Sequence, residues 1–150
     1  MDNKLEEKIN NEISRINKLF DSGKPLLTLC KLKEPDFIEA SAAALFLHSF
    51  YNGIESIILL IFKSIGEKIP NDLQWHKTLF EQAFEQNDKR TILLRNEYKE
   101  QCVEYLSFRH YIRHSYGSEI DWKRLNPLIN GAEELWKSIR EDIEKFIKNN

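Results

Sequence analysis

The sequence predicts an all-α fold, a bundle of four to five helices with a long second helix at its centre. Apolar residues recur at spacings of three and four along most of the chain, and no stretch alternates with the two-residue period of a half-buried strand. Only 5 glycines and 4 prolines occur in 150 residues, too few turn formers for a fold of many short strands. The prolines, at positions 25, 35, 70 and 127, cut the chain into helix-length pieces.

Leu5, Ile9, Ile13, Ile16 and Phe20 follow spacings of 4, 4, 3 and 4, which predicts an amphipathic first helix ending before Pro25. Residues 24–35 read as a connector. Asp36 suits the N-cap of a long second helix reaching about residue 68. That segment is apolar on nearly every side, from Phe37 and Ala40 to Ile61 and Phe62, as expected of a helix touched by several neighbours. His48, Asn52 and Glu55 form its one polar row, spaced 4 and 3. Residues 70–72 read as a turn. A shorter helix over about 74–86 puts Trp75, Leu79, Phe80 and Ala83 inward. Residues 87–90 break it, and a fourth helix is expected from about 91 to 116, with Gly117 at its C′ position. The last helix starts either at an Asp121 cap or at Asn126-Pro127. Its later part is fixed by Leu128, Ala132, Leu135, Ile139, Ile143 and Phe146. Without repeats or a composition break, residues 1–150 read as one domain.

The length, with 41% apolar and 31% charged residues, suits one sizeable core and argues against a disordered tail. The longest unbroken apolar runs have six residues, against the ~20 needed to span a bilayer, so no membrane association is expected. The charged N-terminus carries no signal-peptide core, and two cysteines, Cys30 and Cys102, make no disulfide framework; a cytoplasmic location is expected. A net charge of −2 excludes bulk attraction to nucleic acid and favours a specific pocket.

The chain has no Gly-rich phosphate loop, nucleophile elbow, H-E-x-x-H or CxxC pair. Its informative stretch runs from Phe108 to Gly117, FRHYIRHSYG. Between Tyr105 and Tyr116 lie two arginines, two of the four histidines and no acid. Basic residues at a helix end also complement the helix dipole, and Tyr105, Phe108 and Ile112 suit an ordinary core.

Arg109-x4-His114-x-Tyr116 resembles the R-x4-H-x-Y signature of HepT-like toxins in the HEPN superfamily of ribonucleases. Residues 47–55, LHSFYNGIE, resemble that family's long second helix, and residues 75–79, WHKTL, its third. The resemblance thus extends over most of the chain, in order. It implies a toxin of a type VII toxin–antitoxin pair: a homodimeric, metal-independent endoribonuclease with a composite cleft at the dimer interface and Arg109 and His114 as catalytic residues. The substrate implied is cellular RNA, tRNA being one class, and no cofactor is implied. The matching tyrosine, here Tyr116, is the target of an antitoxin of the minimal nucleotidyltransferase (MNT) type, which AMPylates its hydroxyl. Without the resemblance, a tyrosine at this point would be read as packing a helix end. The second functional class is a non-catalytic HEPN module that binds or regulates a nucleotidyltransferase.

The chemistry suits these residue types. In RNA the 2′-hydroxyl itself can attack the adjacent phosphorus. That reaction needs a proton acceptor, a proton donor and cations around the phosphate. Histidine, with an ordinary pKa near ~6.5, fills the first two roles, and arginine's planar fork fits phosphate oxygens. On an ideal helix, five residues separate Arg109 from His114 by about 140°, so one straight helix does not join them and a two-fold dimer would. Arg113 reads as a further phosphate contact or as a solvated charge, and His110 as a contact to RNA or to Arg109. His110 and His114 also have the i, i+4 spacing of metal ligands, but Arg109 and Arg113 flank them and oppose a divalent ion, so no metal site is expected. His48, Asn52 and Glu55 read either as a network stitching helices together or as support beneath the cleft. His76 reads as a partly exposed structural residue beside Trp75.

Overall fold

The computed structural model describes residues 1–150 and consists of five α-helices joined by short connections, with no strand and one isolated antiparallel bridge between Asn87 and Arg90. Asp36 starts the helix around which the others are arranged. Its carboxylate accepts from the Glu39 N–H (2.8 Å) while the Glu39 side chain accepts from the Asp36 N–H (3.0 Å), a reciprocal capping box. The helix it opens, α2 (Phe37–Ser64), packs against α1 (Asn3–Leu32), α3 (Trp75–Ala83), α4 (Lys99–Arg113) and α5 (Trp122–Asn149). By length and apolar content α2 could cross a bilayer, but this chain packs its own helices around it, and Phe46, Phe50, Tyr51 and Phe62 lie in the core.

Five boundaries differ from the sequence expectation. α1 does not stop before Pro25 but runs to Leu32, so the connector shrinks to residues 33–36. A proline removes one N–H from the helical ladder. Burial of Leu27 and Cys30 beyond it keeps the helix going. α2 ends at Ser64, not near 68. Gly66 takes a left-handed φ of +71°, its N–H donates to Lys63 O, and the Glu67 N–H donates to Phe62 O (2.9 Å). This Schellman arrangement stops the helix. α3 stops at Ala83. Residues 91–98, expected as helix, instead form a loop and a 3₁₀ turn (Asn96–Tyr98) ahead of α4. There Leu93 and Leu94 are buried, and both their N–H groups donate to Ala83 O. Finally α4 ends at Arg113 with His114 as its cap. Gly117 does not close the helix; it opens a second 3₁₀ turn (Gly117–Glu119) without a positive φ. Asp121, rather than Asn126, begins α5: its side chain accepts from the Lys123 N–H (3.0 Å), and Pro127 lies inside the helix.

The core centres on Phe50, fully buried and edge-to-face with Phe20 of α1 (5.2 Å), Tyr105 of α4 (5.9 Å) and Trp136 of α5 (6.2 Å). All six residues that marked the last helix are buried. α1 meets α2 closely at Gly53, where a Cβ would stand 2.7 Å from Ile16 Cγ1. Alanine there gains ~0.5–1 kcal/mol of helix propensity but overpacks a buried contact at ~1–3 kcal/mol. Gly53→Ala is therefore expected to lower stability by about 1 kcal/mol in a denaturant titration; a stabilised variant would contradict the packing.

Candidate functional site

α4 lies along α2, so the basic stretch of one meets the polar row of the other. Arg109 reaches over the Tyr51 ring, its guanidinium carbon 5.6 Å from the centroid. Of seven arginines in the chain, five hydrogen-bond through their side chains to groups of the protein. Arg109 and Arg113 do not, nor do they join any ion pair, and the Arg109 Nε is buried without a partner. An acidic protein thus leaves two guanidinium groups without an internal anion, on one helix and one turn apart.

The polar row of α2 divides. His48 Nε2 lies 3.1 Å from the exposed Asn52 amide nitrogen, and its Nδ1 is buried without a partner. Burial first, then the positive charges of Arg109 and Arg113, hold the His48 imidazole below the usual histidine range, against the opposing pull of Glu55. Glu55 is buried and turns to another helix. Its Oε2 stands 2.7 Å from His76 Nδ1 on α3. Its carboxylate also neighbours the Tyr51 hydroxyl without hydrogen-bond geometry. Burial foremost, then this negative charge, pushes the Tyr51 phenol far above its ordinary range, so it stays neutral. His76 is therefore more than a neighbour of Trp75, although the two ring centroids do lie 3.5 Å apart, tilted by 32°. The sequence signalled that a buried glutamate on this largely apolar helix needs a partner, but not that His76 is that partner.

Two depressions open on this face. One, of about 370 Å³, lies between the ends of α2 and α4, with His48, Arg113 and Tyr116 among its lining residues. The other, of about 490 Å³, lies between α3 and α4 and is lined by His76, Arg109 and His110. His110 and His114 are exposed, their ring centroids 4.5 Å apart, and no third His, Cys, Asp or Glu joins them. His114 lies in neither depression, so the structure does not gather Arg109 and His114 into one pocket within the chain. Tyr116 does not pack the helix end. It lies beyond α4 and is 78% exposed, its hydroxyl free of any hydrogen bond to the protein.

A family model described as HepT-like protein matches residues 42–150, from α2 through α5. The chain belongs to the HepT-like family. It is thus an all-helical HEPN protein of a family tied to toxin–antitoxin systems. No curated protein and no solved structure matches the chain. The matched HepT-like region holds every residue discussed in this section, including Glu55 and His76, and leaves out all of α1 and the first turn of α2.

Proposed function

We propose that this HepT-like protein is the toxin of a toxin–antitoxin pair and a metal-independent endoribonuclease acting on cellular RNA, tRNA among the possible classes. The observation that carries the proposal is the unpaired state of Arg109 at a groove. A guanidinium held without an internal anion is suited to an external one, and a phosphodiester matches its fork. Arg109 holds the phosphate, His114 moves a proton, and Arg113 and His110 bind the flanking RNA. His48, Asn52 and Glu55 support them from α2. The protein works as a homodimer in which His114 of one protomer completes the site of the other. Exposed Leu45 and Tyr116 rim the depression beside Arg113, and exposed Phe37 abuts Gly117 there. Such an apolar edge suits contact with a second copy.

The deciding experiment is growth after induced expression, paired with RNA from the same cells. Wild type is expected to arrest growth and cut RNA, and His114→Ala to do neither. A harmless wild type with intact RNA favours a non-catalytic partner of a nucleotidyltransferase. Cleavage is expected to continue in EDTA, because the nucleophile is the RNA's own 2′-hydroxyl and Arg109 and Arg113 oppose a cation at the histidines. Loss on chelation with recovery on zinc or manganese would reverse this.

Neutralisation follows from Tyr116. An MNT-type antitoxin reaches its exposed hydroxyl without unfolding the chain. AMP attached there adds bulk and a phosphodiester charge beside Arg113, competing with RNA for the arginines. Tyr116→Phe is expected to stay toxic in the presence of the cognate transferase. A variant that is still silenced and still acquires AMP would move the modification elsewhere.

A further inference from the structure

His76 and Glu55 make a carboxylate–imidazole pair across two helices, at 2.7 Å, with the carboxylate buried and the imidazole partly exposed. The pairing has a directional consequence. With the Glu55 carboxylate accepting, Nδ1 carries the proton, and the neutral ring's free lone pair sits on Nε2. The same device orients histidine bases in hydrolases and histidine ligands at metals. The Trp75 ring, 3.5 Å away, holds the imidazole from one side.

His76 lines the α3–α4 groove together with Arg109 and His110. The remaining lining suits a nucleotide. Phe80, Phe84 and Cys102 are buried and give an apolar wall for a base or sugar. Lys77 and Lys99 add positive charge, against one acid, Glu81. An oriented imidazole, an unpaired guanidinium and an apolar wall therefore share one groove of about 490 Å³.

We propose that this groove binds the ribonucleotide on the 3′-phosphate side of the cut and that His76, oriented by Glu55, takes the proton of its 2′-hydroxyl. The inference rests on the ribonuclease reading and deepens it. The 2′-oxygen bonds to phosphorus as its proton passes to His76 Nε2. The bond from phosphorus to the 5′-oxygen breaks, and that oxygen takes a proton from His114 of the second protomer. The products are a 2′,3′-cyclic phosphate and a 5′-hydroxyl, and Arg109 balances the charge on the phosphate throughout. One chain then carries two chemically distinct histidines, one backed by a carboxylate and one open to solvent.

The test uses the purified full chain with unfractionated cellular RNA. It compares wild type, Arg109→Ala, His76→Asn and His76→Ala by cleavage rate and by melting temperature. Asparagine places its amide nitrogen where Nδ1 stood, so it keeps the bond to Glu55 and removes the base. His76→Asn is expected to melt close to wild type and to cleave at least about 100-fold more slowly. Added imidazole is expected to restore part of the cleavage to His76→Ala. If His76→Asn cleaves within about threefold of wild type while Arg109→Ala is dead, the assignment to His76 is wrong and the ribonuclease reading stands. If His76→Asn is both unstable and inactive, imidazole decides: recovery supports the assignment and its absence overturns it. A wild type that cuts no RNA removes both.

Discussion

Arg109→Ala is expected to slow RNA cleavage by roughly 10²–10³-fold or more, and to abolish growth arrest, with little change in stability. The rate loss is that of removing one fixed donor from a developing charge in a water-poor site. The stability expectation comes from opposing effects. Truncation gives up a guanidinium–aromatic contact with Tyr51, worth about 0.5–2 kcal/mol. It also removes a buried Nε that finds no partner, which relieves about 1–3 kcal/mol. The two nearly cancel. Thermal melting together with cleavage rates separates this from ordinary damage: a variant that melts like wild type and is inactive supports the role. One that still cuts RNA at the wild-type rate would falsify it. Arg109→Lys keeps the charge but loses the fork, and should recover little.

Arg90→Ala should do the opposite, costing the fold about 3–5 kcal/mol, which for a chain of this size lowers the melting temperature by roughly 6–20 °C. The Arg90 side chain is 1% exposed. Its Nε and Nη2 donate to the two Glu67 oxygens at 2.7 and 2.9 Å. Its other donors reach the carbonyls of Gln82 (2.7 Å), Glu85 (2.7 Å) and Thr91 (3.1 Å), and its plane lies over Phe62. Removing it leaves a buried carboxylate with only the Asn87 amide as donor (2.9 Å) and takes a donor from three carbonyls at once. Glu67→Ala strands the guanidinium instead and should cost a similar amount. The double variant should cost less than the two single losses added together, because either change already breaks the unit. Equal additivity in denaturant titrations would show that the two side chains act separately.

That cluster also explains what could not be read from the chain. Between α3 and α4 the sequence carries helix-compatible residues, Thr91 to Tyr98, and the expectation of a continuous helix followed from them. Tertiary contacts decide otherwise. Arg90 takes up the carbonyls at the end of α3, Leu93 and Leu94 fill the core, and Asp142 of α5 accepts from the Arg95 N–H (3.0 Å) and the Tyr98 hydroxyl. None of these partners is local, so no periodicity reports them. The early end of α2 was missed, although Gly66 is the residue a left-handed cap requires. Asp36 and the apolar face of α5 were legible because capping and periodic burial are local properties. In the candidate site the motif residues stood out as a run of charge on one helix. The Glu55–His76 pair, joining residues 21 apart, needed the fold to become visible.

The two stops on α2 have a bearing on how such chains can vary. A capping box at Asp36 and a left-handed glycine at position 66 fix the ends of a helix whose middle presents His48, Asn52 and Glu55. One residue inserted between Asp36 and Glu55 would turn everything beyond it by about 100° relative to the capped end and carry Glu55 out of reach of α3. Length changes are thus confined to the connections outside this span, while substitutions on its exposed edge remain open to drift. α2 serves as a measuring rod whose length must stay constant in descendants that keep the pair.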